Sequence, residues 1–333
     1  MAPHPQRLSV TRRAWPLAQP FATAFGVQSA VDVVVAEISD GDSRGRGEGV
    51  PLLRYGETIG SVVAQLEAMK GAIFSGLDRD ALQDAMSPGA ARNALDCAFW
   101  DIDAKRAYCS VADLGGFDAV APVMTAFTLG LDTPEKMADL ATANRARPLL
   151  KLKLGGDGDI ERVQAVRRAA PASRLIVDAN ESWDKSRLNE FMPMLVDCRI
   201  ELIEQPLPAD ADDALAWLPH PIPLCADESC RTLADLDRLE GRYEAINIKL
   251  DKVGGLTEAF ALAAEARRRG VRIMVGGTTN TSLGIAPALL VAQQADLVDL
   301  DGASRLTLDR NGGLRYDGGT IHQPDPNLWG GPG

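Results

Sequence analysis

The hydrophobic pattern of this chain changes character near Val123. Before that point, Val31-Asp-Val-Val-Val-Ala-Glu-Ile38 reads as a strand closed by Asp40-Gly41-Asp42. Gly45 to Pro51 reads as a second, glycine-containing strand, so the two are expected to form a hairpin. Ser61 to Ala72 has helical spacing, and Ala81 to Ala107 predicts helix in two pieces broken at Pro88-Gly89. The second piece carries an apolar stripe at Leu95, Ala98, Phe99 and Ile102. Antiparallel strands followed by helices predict an α+β module.

Beyond Val123, short apolar runs alternate with amphipathic stretches. Strands are predicted at Val123–Leu129, Leu149–Leu154, Leu175–Asp178, Arg199–Glu204, Ile222–Asp227, Ala245–Lys249, Val271–Gly276 and Leu297–Asp301. Helical stretches such as Pro134–Asn144, Ile160–Arg168 and Leu256–Arg269 fall between them. Strands alternating with helices predict an α/β chain with a parallel (β/α) barrel. An open doubly wound sheet is the competitor, but no GxGxxG follows an early strand and no Walker motif occurs.

Composition narrows the function. The net charge of −11, without a dense basic stripe, argues against a nucleic-acid surface. Cys97, Cys109, Cys198, Cys225 and Cys230 are odd in number and no pair has CxxC spacing, so free thiols in a reducing compartment are expected. His4, His220 and His322 are scattered, which disfavours a histidine triad or a zinc site. No apolar run reaches membrane-spanning length. Arg12-Arg13 faintly mimics an export signal, but Pro16, Gln19 and Pro20 interrupt the stretch that follows. It reads as a strand and loop of the mature protein, and a cytoplasmic location is expected.

Charged residues stand at the ends of the predicted barrel strands. Lys151 and Lys153 share one face of an apolar strand, and Asp178, Glu204, Asp227 and Lys249 follow at intervals of roughly one βα unit. In a barrel all of them ring the C-terminal mouth, where barrel enzymes keep their chemistry. Asp178, Glu204 and Asp227 would converge and repel unless a cation sits between them, and oxygen-only ligation favours Mg2+. Lys153 and Lys249 would face each other across the mouth. Mutual repulsion and burial of Lys151 and Lys153 would lower a lysine pKa toward the range of a base. Two plainer readings stay open here: the lysines could be solvated residues of an edge strand, and Asp178 and Asp227 could cap the helices that follow. Asn180, Glu181, Gln205, Glu228 and Asp251 are candidate partners of the carboxylates or solvated loop residues.

These segments resemble the enolase superfamily, in the branch that carries a lysine on each face of the substrate. The resemblance rests on Lys151-Leu-Lys153, Val-Asp178-Ala-Asn, Ile-Glu204-Gln-Pro, Ala-Asp227-Glu-Ser and Asn-Ile-Lys249-Leu-Asp-Lys-Val-Gly-Gly. Gly45-Arg-Gly-Glu-Gly-Val-Pro51 and Ala94-Leu-Asp-Cys-Ala-Phe-Trp-Asp101 look like the family's capping domain. A (β/α)7β TIM-type barrel at 119–302 is therefore implied, with an α+β N-terminal capping domain at 1–118 and a segment at 303–333 packing back on it. The superfamily uses a lysine or histidine base with Mg2+. On that pattern Lys153 and Lys249 would carry protons, Lys151 would tune Lys153, and Asp178, Glu204 and Asp227 would hold the metal.

Within the branch, Asp299-Leu-Asp301 resembles the dipeptide epimerases, where two such aspartates bind the substrate's terminal ammonium; a strand-end turn is the plainer reading. Thr128 matches a family position near the substrate. Alanyl-glutamate epimerases carry an arginine in the mobile loop after Pro-Phe, where Phe25 or Gly26 stands here, so an uncharged second residue is expected. Thr279, in Thr278-Thr-Asn-Thr-Ser282, could supply hydrogen bonds instead. The implied activity is 1,1-proton transfer at the C-terminal residue of a small dipeptide through an enediolate. The alternatives are a cycloisomerase or succinylbenzoate-synthase-like dehydratase, and a non-catalytic, metal-dependent binding protein. No membrane or nucleic-acid partner is expected, and family barrels often assemble as homo-oligomers.

Overall fold

The computed structural model describes residues 5–332, so His4 lies outside it. Its N-terminal layer is an antiparallel sheet of β1 (Arg7–Thr23), β2 (Gly26–Ser39) and β3 (Arg44–Gly49). The region expected as strand and loop before Val31 is one long strand paired with β2, with its register broken between Pro16 and Phe21. Prolines cannot donate to a ladder, which places the irregularity there. The helix expected at Ser61–Ala72 starts earlier, at Ile59 behind a Thr58–Ser61 capping box, and divides into Ile59–Ala68 and Lys70–Phe74.

The Ala90–Arg106 helix lies directly on β3. Gly45, Gly47 and Gly49 occupy alternate positions facing Ala98, Ala94 and Ala90. A Cβ on Gly47 would stand 2.2 Å from the Ala94 carbonyl oxygen, a backbone atom that cannot swing away. Gly47→Ala is therefore expected to destabilise the protein by about 2–3 kcal/mol, visible as a lowered urea midpoint.

The chain then builds the barrel from β5 (Phe127–Leu129), β6 (Leu149–Lys153), β7 (Arg174–Asp178), β8 (Ile200–Glu204), β9 (Leu224–Ala226), β10 (Ala245–Ile248), β11 (Arg272–Gly276) and β12 (Leu297–Asp299). They lie in sequence order and are parallel, and Ala126 N donates to Val298 O at 2.8 Å to close the ring. The run predicted as one strand at Val123–Leu129 is divided. Its first part, β4 (Val123–Met124), pairs outside the barrel with β14 (Thr320–His322), itself the partner of β13 (Arg315–Asp317). The fifth barrel strand is shorter than expected because Pro221 and Pro223 deny it donors, leaving Asp227 just past its end. The last ends at Asp299, so Asp301 sits in the turn beyond it.

Period-two alternation sets the barrel interior. Ala126, Leu149, Ile176, Leu202, Cys225, Ala245, Met274 and Leu297 form one buried apolar ring. Two residues further along each strand stand Thr128, Lys151, Asp178, Glu204, Asp227, Asn247, Gly276 and Asp299. The same step again reaches Lys153, Lys249, Thr278 and Asp301. The apolar ring is the floor, and the polar layers above it form the mouth.

After the barrel the chain returns to the N-terminal layer. Trp329 Nε1 donates to Cys97 O at 3.1 Å, and Gly330 N to Asp101 Oδ1 at 2.8 Å. Asp251 joins the two layers from the barrel side. Its Oδ1 accepts from Val50 N at 2.9 Å and Asn93 Nδ2 at 2.7 Å, and its Oδ2 from Asn280 Nδ2 at 3.0 Å. Burial outweighs these bonds and pushes its carboxyl up to about 6. A raised acid pKa means the fold resists ionisation, so this group weakens the fold as pH rises from about 4 through 6. The stability of the wild type minus that of Asp251→Asn is expected to fall by about 3 kcal/mol between pH 4 and pH 7 in parallel urea titrations. No helix among the described residues is long and apolar enough to cross a membrane.

Candidate active site

Asp178, Glu204 and Asp227, from three adjacent strand ends, each present an oxygen within 4.8 Å of the others, and all three are buried. Lys151 Nζ lies among them, 2.6 Å from Glu204, 3.1 Å from Asp178 and 2.7 Å from Asp299. Lys153 Nζ donates to Asp178 Oδ2 at 2.5 Å. Lys249 pairs with Asp227 Oδ2 on the other side. Lys151 is fully enclosed, whereas Lys153 and Lys249 keep 11% and 14% of their side chains open to the mouth. β6 and β10 are the second and sixth of eight strands, so these two lysines face each other across the barrel.

The lysines are governed by the carboxylates. Burial opposes the charge of Lys151, yet Asp299, Glu204 and Asp178 raise its pKa well above the ordinary value. Burial likewise opposes Lys249, and Asp227 and Glu204 raise it. The expectation that repulsion and burial lower the pKa does not hold for Lys151, because three anions within 3.1 Å of its ammonium outweigh burial. The acids divide among themselves. Burial disfavours the charge of Asp178, but Lys153 and Lys151 hold it at about 2. Burial and then the charge of Asp178 push Glu204 up to about 7. Burial and then Asp227 push Glu228 up to about 8.

This donor set fits a hard cation. Glu204 Oε2 and Glu228 Oε2 are buried and accept no hydrogen bond of acceptable geometry, although Lys151 Nζ lies near the former. Three oxygen donors converging from a rigid rim, with acceptor capacity to spare, match Mg2+. The capping alternative does not survive. The helix after β7, Lys185–Asp197, is capped by Asp184, while Asp178 serves the lysines and the Asn180 amide. The edge-strand alternative fails too, since β6 pairs with β5 and β7.

Of the five candidate partners, Gln205 acts on the backbone of the rim rather than on a carboxylate. Gln205 Oε1 accepts from the amides of Asp227 and Ser229 at 2.9 and 3.0 Å, which fixes the start of the Asp227 loop. Asn180, Glu181 and Gln205 hold left-handed backbone, with φ of 44°, 64° and 34°, where β7 and β8 turn outward. Glu181 does not face the carboxylates. It pairs with Arg54 of the N-terminal layer at 2.5 Å and accepts from Ala209 N. Asp251 also stands apart, in the bridge described above.

Two groups escaped the sequence reading. Asn247 Nδ2 donates to Glu204 Oε1 at 2.8 Å, beside Gly276, where any Cβ would strike it. The buried Lys252 donates to Asp227 Oδ1 at 2.8 Å and to the Asn247 carbonyl at 2.7 Å. The inward alternation of β10 could have found Asn247. Lys252 lies in the turn after Lys249, outside the strand alternation, and had no role assigned although the segment quoted for the resemblance contains it.

At the first and last strands, Thr128 Oγ1 donates to Asp299 Oδ1 at 2.9 Å and Thr128 N to Asp301 Oδ2 at 2.8 Å. The two aspartates and Thr128 thus form one cluster bordering Lys151. The loop of Phe25 and Gly26 is the tip of the β1–β2 hairpin. It leans on the end of β5, where Leu131 N donates to Ala22 O and Phe21 covers Gly130. Phe25 is 57% exposed at that tip. Thr279 is half-buried beside Gly302, and its neighbours Thr278 and Asn280 serve Asp251. Thr279 is not drawn into the charged cluster.

The chain matches the family model for the mandelate racemase / muconate lactonizing enzyme N-terminal domain over residues 6–116 and the enolase C-terminal domain-like model over residues 136–332. It is 45% identical to an L-Ala-D/L-Glu epimerase of Escherichia coli K12 over 95% of this chain and 99% of that one. A crystal structure of an enolase family member from Agrobacterium tumefaciens, with homology to dipeptide epimerases and bound sodium and L-Ala-L-Glu, superposes with a TM-score of 0.96 at 47% identity, covering 98% of this chain and 100% of that one. A dipeptide epimerase from Enterococcus faecalis, complexed with Mg and L-Leu-L-Tyr, gives a TM-score of 0.90 at 28% identity over 96% of this chain and 98% of that one.

Proposed function

We propose, from the premise that this chain belongs to the enolase superfamily in its mandelate racemase / muconate lactonizing enzyme family, that it is an Mg2+-dependent dipeptide epimerase. The observation that carries this reading is the pair Lys153 and Lys249, set across the mouth from each other with three converging carboxylates between them.

Asp178, Glu204 and Asp227 would hold Mg2+, which when bound engages the substrate carboxylate, stabilises the negative charge that develops on it and draws off the carboxylate charge that otherwise grips the lysines. Lys153 and Lys249 approach the α-carbon of the C-terminal residue from opposite sides. One removes the α-proton to give an enediolate and the other returns a proton to the opposite face, which inverts the centre. Lys151, enclosed one layer deeper, keeps a positive charge near the enediolate oxygens. Asp299 and Asp301, oriented by Thr128, receive the N-terminal end of the substrate. Those two aspartates disfavour the cycloisomerase and dehydratase alternatives, whose substrates carry no ammonium. All three lysines are present, so a binding protein without catalysis is disfavoured too. The five free cysteines, four of them buried, support a cytoplasmic location.

The test is exchange in heavy water. An L,L-dipeptide library incubated with the protein and Mg2+ should lose the α-proton of the C-terminal residue by NMR. If no dipeptide exchanges while Mg2+ is bound, the reading is wrong. Phe25, exposed at the hairpin tip, would set selectivity for the second residue by offering an apolar surface. Phe25→Arg is expected to raise kcat/KM for L-Ala-L-Glu relative to L-Ala-L-Leu by about threefold to fivefold, through a new ion pair of roughly 0.7–1 kcal/mol.

A further inference from the structure

Lys249 opens a single helical turn, Leu250–Val253, and the amides of Lys252 and Val253 both donate to its carbonyl at 2.9 Å. One turn cannot satisfy its own last carbonyls and does not hold its shape unaided. Arg92, on the Ala90–Arg106 helix of the N-terminal layer, supplies the missing donors. Its Nη2 donates to the Val253 carbonyl at 2.6 Å and its Nε to the Gly254 carbonyl at 3.0 Å. The guanidinium lies against Gly254, where any Cβ would strike it, and the residue is buried. Gly254 ends the turn in left-handed backbone, at a φ of 90°.

The same face of the helix extends the grip. Arg92, Asp96 and Trp100 are spaced four apart and so form one stripe. Asp96 Oδ2 accepts from Thr257 N at 2.9 Å, and its Oδ1 from Thr257 Oγ1 at 2.6 Å. Trp100 Nε1 donates to the same hydroxyl at 2.9 Å. Beside the stripe, Asn93 reaches Asp251 within the turn itself. The segment that follows Lys249 is thus held by a helix from outside the barrel.

The Lys153 side is anchored differently. Beyond β6, the amides of Gly155 and Gly156 donate to Asp159 at 3.0 and 2.8 Å, and Trp183 Nε1 donates to Asp159 Oδ2 at 2.8 Å. These residues all belong to the barrel. The two amines therefore depend on different parts of the molecule. Proton transfer needs an amine within hydrogen-bond reach of the α-carbon's proton, and a misplacement of about 1 Å can cost about a hundredfold.

We propose that Arg92 is a positioning residue for Lys249, through which the N-terminal layer sets the reach of the base on one face of the substrate only. It acts through two backbone carbonyls, and the planar fork of a guanidinium is what serves both at once. The inference rests on the epimerase reading of the two lysines.

The probes are the L,L-dipeptide that exchanges fastest in the library and its L,D epimer. Both are followed by α-proton exchange in heavy water with Mg2+, and Lys249→Ala and Lys153→Ala first assign each stereoisomer to its lysine. Arg92→Met should lower kcat for exchange of the Lys249-dependent stereoisomer by about thirtyfold, with KM held within about threefold. Exchange of the Lys153-dependent stereoisomer should stay within about threefold of wild type, while epimerisation falls with the first. Arg92→Lys, which keeps the charge but loses the fork, should show the same one-sided loss at about threefold to tenfold, and it decides the matter if the methionine variant does not fold. An equal fall for both stereoisomers, a larger fall for the Lys153-dependent one, or no change in either variant would overturn the inference and leave the epimerase reading standing. A wild type that exchanges no dipeptide of the library would overturn both.

Discussion

Lys249→Ala is expected to lose epimerisation by at least about a thousandfold while still exchanging the α-proton of one stereoisomer, and Lys153→Ala to do the same for the opposite stereoisomer. The reason lies in the placement of the two amines. They project from strands on opposite sides of the barrel, each beside its own carboxylate, with no shared partner among Asp178 and Asp227. A single remaining lysine can take a proton and return a deuteron on its own face, which labels the substrate without inverting it. Inversion needs both faces. The measurement is NMR exchange on the L,L and L,D forms of one dipeptide, read together with the change in optical rotation. Loss of exchange from both forms in both variants would show that the lysines do not divide the faces between them. Neither substitution should disturb the apolar ring below, so both variants should keep the wild-type urea transition to within about 1 kcal/mol apart from the lost ion pair.

The second large effect concerns the cation. Glu204→Gln is expected to weaken Mg2+ binding by more than about a hundredfold, since loss of a residue merely supporting a metal ligand already costs up to that much. Epimerisation at millimolar Mg2+ should fall at least as far. The wild type should gain about 2.7 kcal/mol of stability at a Mg2+ concentration one hundred times its dissociation constant, and the variant almost none. Calorimetric titration and thermal melts with and without Mg2+ read both quantities. Gln conserves the size of Glu204 and leaves an oxygen for Asn247 Nδ2, so the architecture of the rim is kept while one negative charge is removed. Removal of the metal with a chelator should abolish wild-type activity, and added Mg2+ should restore it.

The sequence located most of this site for a physical reason. Side chains alternate along a strand, so the inward positions follow from counting by two once the strands are recognised. Lys151, Lys153, Asp178, Glu204 and Lys249 were legible in that way, as was the barrel itself from the alternation of apolar runs with amphipathic helices. Places where backbone hydrogen bonding departs from the apolar pattern were less legible. The run Val123–Leu129 looked uniform, yet its first residues pair with β14 and only its last three join the barrel. Asp301 was expected within a strand and lies in the turn beyond it, where Arg305 can reach back to it.

What the sequence determined by itself was the set of inward-facing residues and the order in which they ring the mouth, because both follow from local period and chain order. The tertiary structure decided which of those charges meet. Lys151 lies against Asp299, a residue of the last barrel strand, and Asp251 ties the rim to Val50 and Asn93. Arg305 settles on Asp301 under Phe21 of the first strand. Such pairings depend on distances between segments that only closure of the barrel and docking of the N-terminal sheet bring together, and no local pattern in the chain encodes them.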